Sequence, residues 1–425
     1  MNELARLEIP KYVKMDECGY REKTVLLRVD FNSPIEPGSG RILDITRIKS
    51  HVPTISYLLK QNAKVVLLSH QGQKGSSDFV SLKAHAEVLS ELLRANVKFV
   101  EQVYGDKVDE AVRSAKNGDV ILLENTRFVE EETRVVNSYE EHAKCELVKR
   151  LSAFSHVYVN DAFASSHRNH ASLVGFPFVL PAVAGKLMTE ELEAVKRIVE
   201  ESSGPTAFLL GGGKLKDSVK LVNNILERGV ADKVVLTGLI ANAFLVATGF
   251  IRESVLIKKL SEYENELKLA KRIFSRFNEK ILLPVDVAVE RNGERVELPL
   301  EELRFDDEPM DVGSRTITMI HDSLKGFKTA FLRGPAGVVE KRGFEKGTVE
   351  LLKLLCELGI YTVIGGGHTR IIAEQLGLVD KLGYASTGGG ALLTLLSGEP
   401  LPALQALSFA FERTKVACGD VNGRD

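Results

Sequence analysis

The sequence has no long apolar run. No stretch of its 425 residues approaches the length that crosses a bilayer, and the first residues, MNELARLEIPKYV, lack the apolar core of a signal peptide. Neither membrane insertion nor secretion is expected. An excess of one charge sign is missing too. The 56 Lys and Arg stand against 58 Asp and Glu, a net −2 that argues against broad attraction to nucleic acid or membrane while permitting a local basic cleft. Cysteine is sparse. Cys18, Cys145, Cys356 and Cys418 are far apart, have no metal-ligand spacing and read as reduced thiols of a cytoplasmic protein. Neither G-x-S-x-G nor HExxH occurs, so the usual serine-nucleophile and zinc signatures are absent. No segment is of low complexity.

What is present is ordinary in composition and regular in rhythm. Hydrophobic content of 44% and charged content of 27% suit a globular chain, and the length suits two domains. TVLLRVD (24–30), KVVLLSH (64–70), VILLENTRF (120–128) and HVYVNDAF (156–163) are short, rich in β-branched residues and almost continuously apolar. That is the pattern of parallel strands covered by helices on both faces. A second series follows: TAFLLGGG (206–213), KVVLTG (233–238), ILLPVDVAV (281–289), KTAFLRG (328–334) and YTVIGGG (361–367). The class implied is α/β, two doubly wound parallel-sheet domains with functional loops at the carboxyl ends of the strands. Between the series, TEELEAVKRIVEE (189–201) has one apolar face, Thr189 as a cap and Gly204-Pro205 as a stop, and is expected to be a helix joining the domains. The expected division is 1–188, a joining helix over 189–203, 204–400, and a tail over 401–425 that packs at its start and frays at its end.

Three glycine triplets, 211–213, 365–367 and 388–390, mark the second half. The first two follow apolar runs, the third follows Ser386-Thr387, and each leads into a segment that can start a helix. Backbone without Cβ approaches phosphate closely, and free N–H groups at a helix start face an anion. With Lys214 directly after the first triplet, nucleotide phosphate binding is the expectation. In the first half, Arg47, His70, Arg127 and His167-Arg168 come at or after strand ends, where several cationic groups can converge on one small anion. Asp30 and Asn32 flank Phe31 at period-two spacing and are positioned to accept hydrogen bonds from hydroxyls.

At these residues the chain resembles the phosphoglycerate kinase family, and specifically its archaeal members. The resemblance runs in order through RVDFNSPI, ITRIKS, LSHQGQ, LLENTRF, YVNDAFASSHR, LLGGGKLKD, LPVDVAV, RGPAGVVE, IGGGHT and STGGGA, nearly the whole chain. It implies two Rossmann-like domains that close over a hinge. The implied reaction is reversible phosphoryl transfer between 1,3-bisphosphoglycerate with ADP and 3-phosphoglycerate with ATP, in glycolysis or gluconeogenesis. Magnesium would accompany the nucleotide, with no nucleic-acid or membrane partner; a monomer is expected, a dimer left open.

Carried over by motif, Asp30, Phe31, Asn32, Gln71, Gly72 and Gln73 would surround the glycerate. His70, Arg127 and Arg168, with His167 nearby, would hold its 3-phosphate. Arg47 and Lys214 would follow the transferring group, with Gly388, Gly389 and Gly390 offering N–H groups. Gly211, Gly212, Gly238, Glu340, Gly366, Gly367, His368 and Thr369 would take the nucleotide, Glu340 at the ribose hydroxyls. No protein metal ligand is expected, magnesium being carried by ATP phosphates. Four positions depart from the bacterial and eukaryotic pattern: Gln73 for arginine, Ser218 for lysine, Arg333 for asparagine and His368 for aspartate. Two alternatives stand beside this reading: a kinase for another small carboxylate, to which Gln73 lends itself, and a non-catalytic nucleotide-binding scaffold. His70 is expected to titrate near neutrality if unperturbed.

Overall fold

The apolar runs pair side by side and in parallel, as uninterrupted hydrophobicity demands of strands with no solvent face. In the computed structural model, which describes residues 9–200, 202, 204–252 and 254–419, the first sheet has six strands. They are β1 (Thr24–Arg28), β2 (Lys64–Leu68), β3 (Val97–Val100), β4 (Val120–Leu123), β5 (Val157–Asn160) and β6 (Ala182–Ala184), in the order β3-β4-β2-β1-β5-β6. All five residues of β1 are buried, and Arg28, Leu68 and Asn160 end their strands in register. The loops after β1, β2 and β5 therefore emerge together.

The second six-stranded sheet is built from β7 (Thr206–Leu210), β8 (Lys233–Leu236), β9 (Ile281–Leu282), β13 (Thr329–Arg333), β14 (Tyr361–Gly365) and β15 (Gly383–Ala385), in the order β15-β14-β13-β7-β8-β9. Counted from β7 within this sheet, the order is 3-2-1-4-5-6, the Rossmann arrangement, with its reversal between β7 and β13. The first sheet differs by carrying β4 between β3 and β2, and its reversal falls between β1 and β5.

The stretch 281–289 is not one strand. It splits around Pro284 into the edge strand β9 and β10 (Asp286–Arg291), which joins β11 (Glu294–Pro299) and β12 (Asp311–Val312) in an antiparallel three-stranded sheet. Proline cannot donate to a ladder, and hydrophobicity alone did not reveal the break.

Contacts divide the chain into two compact units, Ile9–Leu192 with the chain from Pro400 onward, and Glu193–Glu399. The helix between them spans Lys186–Val199, and the Thr189 amide already bonds to the Gly185 carbonyl, so Thr189 lies inside the helix and does not cap it. Positions 201 and 203 of the expected helix, and 420–425 of the tail, lie outside the described residues. The rest of the tail forms helices Pro402–Phe409 and Phe411–Cys418. The expectation of four reduced cysteines fails at two of them: Cys18 and Cys418 form a disulfide, their Cα atoms 4.7 Å apart across a separation of 400 residues. The last helix returns to the segment before β1, a meeting that sequence spacing cannot show. Cys145 and Cys356 are free thiols. Among the described residues no helix is long and apolar enough to cross a membrane.

Candidate active site

In the unit Ile9–Leu192 the polar residues after β1, β2, β4 and β5 meet at one edge of the sheet. The Asp30 amide donates to His51 Nε2 at 3.0 Å, and His51 Nδ1 donates to Asp161 Oδ2 at 2.7 Å, so the imidazole is fixed as its Nδ1–H tautomer. Asp30 presents Oδ2 to Arg47 Nη1 at 3.0 Å and Oδ1 to the Asn32 amide at 3.1 Å. Asn32 Oδ1 in turn accepts from the Gly72 amide at 2.9 Å, tying the β1 loop to the β2 loop. Asp30 and Asn32 thus spend acceptors on the protein instead of leaving them all for hydroxyls. Gly72 has φ +64°, and a Cβ there would sit 2.3 Å from the Asp78 carbonyl oxygen, so glycine is required.

Two residues expected around the glycerate serve the scaffold with their side chains. Phe31 is fully buried in the core, edge-on to His51. Gln71 is fully buried, bonded through Oε1 and Nε2 to the backbone of Ser33 and through Oε1 to His85 Nε2. Gln73 is exposed, with its backbone closed into a turn by Ser76. Its neighbour Lys74 is also exposed and reaches Glu130 only at 4.0 Å.

Beneath the loops lies a pair the sequence reading missed. Arg28, inside β1, is fully buried 3.8 Å from fully buried Glu132. Its Nε donates to Ser172 Oγ at 2.7 Å and its Nη2 lies 3.1 Å from His70 Nδ1. Glu132 accepts from Thr126 Oγ1, the Ser172 amide and Ser172 Oγ. Removing one partner would strand a buried charge, at a cost of about 3–5 kcal/mol. Since Arg28 can only donate, His70 accepts at Nδ1 and carries its proton on Nε2. Burial pushes the His70 pKa well below its ordinary value; Asp30 opposes this, while Arg28, Arg127 and Arg168 add to it. The expectation that His70 titrates near neutrality is corrected: it is a neutral donor.

Arg127 donates to the Gly72 carbonyl, and burial, with Arg168 and Arg28, lowers its pKa to about 10. Burial tends to raise Asp30, but Arg47 first, with Arg28 behind it, holds it well below the usual carboxylate range. Arg127 Nε, Arg168 Nε and His167 Nδ1 are buried and have no hydrogen-bond partner. A cavity of about 860 Å³ opens beside the two arginines, lined among others by Gln73, Arg127, Arg168 and His170. Crowded cations with unused donors make a receptor for a small polyanion.

The unit Glu193–Glu399 builds its loops differently. The Gly211 amide donates to the Arg333 carbonyl at 2.7 Å and the Gly212 amide to the Pro335 carbonyl at 2.8 Å. A Cβ on Gly211 would lie 2.3 Å from the Pro335 oxygen, and one on Gly238, with φ +59°, 2.9 Å from the Gly212 nitrogen. These glycines let three loops touch backbone to backbone. Gly213 and Gly367 are another matter, because a Cβ on either would meet nothing within 4 Å. Packing within the chain gives no reason for glycine there; close approach of a ligand does.

Lys214 is exposed and immediately precedes the helix Leu215–Glu227. Gly366 and Gly388 are the N-caps of helices Gly367–Gln375 and Gly389–Leu396, and the Gly389 Cβ position lies 3.8 Å from the Gly366 nitrogen. Two helix starts thus come together, with the Gly388 amide held by Ser386 Oγ at 3.1 Å and Gly390 in the first turn. Thr369 Oγ1 is buried without a partner. His368 and Glu340, both exposed, face each other at 3.5 Å. Among the described residues no three His, Cys, Asp or Glu side chains gather as a metal-binding group.

Comparison with known proteins covers both units. The family model for phosphoglycerate kinase matches residues 15–399. The chain is 41% identical to a phosphoglycerate kinase of Methanothermus fervidus, over 95% of this chain and 98% of that one, and 42% identical to one of Archaeoglobus fulgidus, over 92% and 95%. The crystal structure of phosphoglycerate kinase from Pyrococcus horikoshii OT3 superposes with a TM-score of 0.86 at 38% identity, covering 94% of this chain and all of that one. A structure from Coxiella burnetii gives 0.80 at 30%, covering 94% and 99%. With similarity of this extent through both sheets and both sets of strand-end loops, the chain belongs to the phosphoglycerate kinase family.

Proposed function

We propose that the two units divide the substrates of this family's reaction: glycerate phosphate on Ile9–Leu192 and nucleotide on Glu193–Glu399. The chain is a phosphotransferase that moves a phosphoryl group reversibly between 1,3-bisphosphoglycerate with ADP and 3-phosphoglycerate with ATP. The full-length relatives do not favour a kinase for another carboxylate or a silent scaffold.

The observation that carries the assignment is the set of buried, unpartnered nitrogens on Arg127, Arg168 and His167, which suits the phosphate that is not transferred. His70, neutral and proton-bearing at Nε2, adds a donor that does not depend on pH near neutrality. Arg47, held by Asp30 and 35% exposed, remains available to the reacting end. In the ATP-consuming direction the nucleophile is a carboxylate already ionised at neutral pH, so no general base is needed. Catalysis reduces to alignment and to neutralising charge on the phosphoryl group, which falls to Arg47, Lys214 and the amides at Gly388–Gly390. Turnover requires the units to bring their ligands together, which also excludes the water that would hydrolyse an acyl phosphate.

The donor set does not suit a magnesium ion held by the protein. Imidazole is a poor ligand for this ion, and His368 meets a single carboxylate, Glu340. Magnesium would therefore arrive with ATP, and MgATP is the substrate. The enzyme acts as a cytoplasmic monomer on small molecules, without nucleic acid or membrane. A coupled assay of ATP formation from 1,3-bisphosphoglycerate and ADP tests the function. Turnover is expected, and nucleotide binding without turnover would refute it.

A further inference from the structure

Arg333 ends β13 in register with Leu210 of β7 and Gly365 of β14, at the reversal of strand order where open α/β sheets bind ligands. Its backbone has no slack. The carbonyl accepts from Gly211, and the next residue, Gly334, has φ +75° with its Cβ position 2.4 Å from the Gly211 oxygen. The side chain runs to the first turn of the helix Leu215–Glu227, where Nη1 donates to Ser218 Oγ at 3.0 Å. Ser218 is buried at 1% exposure, and its amide bonds to the Lys214 carbonyl. Among the described residues no carboxylate lies within ion-pair distance of Arg333. Burial lowers its pKa, with Asp217 only partly offsetting this. A half-buried guanidinium whose one recorded partner is a neutral hydroxyl keeps most of its five donors and an unbalanced charge.

We propose that Arg333, positioned by Ser218, binds the phosphate chain of the nucleotide and is a second cation beside Lys214 in the transfer site. The inference rests on the reading of Glu193–Glu399 as the nucleotide unit. Arg333 adjoins that unit's phosphate loops directly: the Gly366 Cβ position falls 3.8 Å from the amide nitrogen of Gly334. The linkage also unites two departures from the family pattern. Where the pattern has a lysine on the helix and an asparagine on the strand, this chain has the serine on the helix and the cation on the strand. A fork held by one prong keeps one geometry toward phosphate, which a flexible ammonium does not.

The test uses the full chain, with ADP binding by calorimetry alongside steady-state kinetics. Arg333→Gln should weaken ADP binding and raise the KM for ATP by about tenfold or more, the scale of one charge-assisted hydrogen bond, with the KM for 3-phosphoglycerate within about twofold. Ser218→Ala should shift the same constants in the same direction by less. The exchange Ser218→Lys with Arg333→Asn should bring ADP affinity back to within about threefold of the parent, because the charge is restored from the other side. Unchanged ADP affinity in Arg333→Gln overturns the proposal. If that variant does not fold, Ser218→Ala and the exchange decide, and no effect of the first with no recovery in the second overturns it. If Arg333→Gln weakens 3-phosphoglycerate binding and spares ADP, the assignment of nucleotide to this unit fails as well.

Discussion

The two units use the same device, a six-stranded parallel sheet with its working loops at the carboxyl ends, and furnish it in opposite ways. The unit Ile9–Leu192 fills its loops with side chains: Arg47, Arg127, Arg168, His70 and His167, set over the buried Arg28–Glu132 pair. The unit Glu193–Glu399 keeps few side chains in its loops, Lys214, Arg333, His368 and Glu340 among them, and builds the rest from glycine backbone and helix starts. Charged forks suit a small, compact anion that must be chosen by shape. Bare backbone suits a long phosphate chain that must be approached along its length. Specificity would then reside in the side-chain unit and phosphate handling in the backbone unit.

The comparison breaks first at the reacting group. Lys214→Ala and Arg47→Ala come from opposite units, yet both are expected to lower turnover by roughly a hundredfold or more, with smaller effects on KM, because their charges matter most in the transition state. Steady-state kinetics checks this, and near-normal turnover in either variant removes that residue from the catalytic set.

Next come the residues that should not cross the divide. Arg127→Ala and Arg168→Ala are each expected to raise the KM for 3-phosphoglycerate by about tenfold or more while moving that for ATP little. A larger change in the ATP constant would place these arginines with the nucleotide.

The glycines sharpen the comparison within the backbone unit. Gly211→Ala forces a Cβ to 2.3 Å from the Pro335 oxygen and should cost stability on the order of 1–3 kcal/mol, read by denaturant unfolding. Gly213→Ala meets nothing and should leave unfolding unchanged while weakening ADP binding. Equal behaviour of the two would mean that chain packing, not a ligand, explains both.

A smaller effect is expected from acid, in which buried groups of the two units contribute with opposite sign. Burial lowers His85 and His170 to about 4 and also lowers His70, all in the side-chain unit. A depressed histidine contributes stability present above its unfolded pKa and lost as pH falls, here between 6.5 and about 4. In the backbone unit, burial raises Asp311 to about 6 from 3.8, against hydrogen bonds from Gly347 and Arg295. A raised carboxyl contributes stability that is fully present below 3.8 and lost as pH rises through about 6. Hydrogen exchange followed from pH 6.5 toward 4 should show the side-chain unit loosening, with Asp311 working the other way in its own unit. His85→Gln should reduce the first slope and Asp311→Asn remove the second contribution; slopes unchanged by these variants would contradict the burial argument.

How far the sequence could be read follows from the same contrast. The strands were legible because both sheets are covered on both faces, so apolar runs such as KVVLL and TAFLL announce themselves. Loop residues were legible where chemistry is local: glycines before a helix, arginines after a strand. The resemblance to the family was legible because its motifs recur in order along nearly the whole chain. What escaped is made of distant meetings. Glu132 pairs with Arg28 from a turn beyond β4, and nothing in the glutamate-rich EEET marks one carboxylate as buried. The one available signal was Arg28 itself, a cation inside an apolar strand, which must find an anion. Phe31 and Gln71 stand in loops that read as substrate-binding, but their side chains turn into the core. The Cys18–Cys418 bond joins the two ends of the chain, and the break at Pro284 hides in a run whose hydrophobicity continues across it.

The division of substrates between the units is tested most directly by hydrogen exchange on the full chain with each ligand alone. With 3-phosphoglycerate, protection should appear in the loops around residues 30–33, 70–73, 125–128 and 161–168. With ADP it should appear around 211–214, 334–340, 366–369 and 388–390. Primary protection of the first set by ADP, or of the second by 3-phosphoglycerate, would contradict the account.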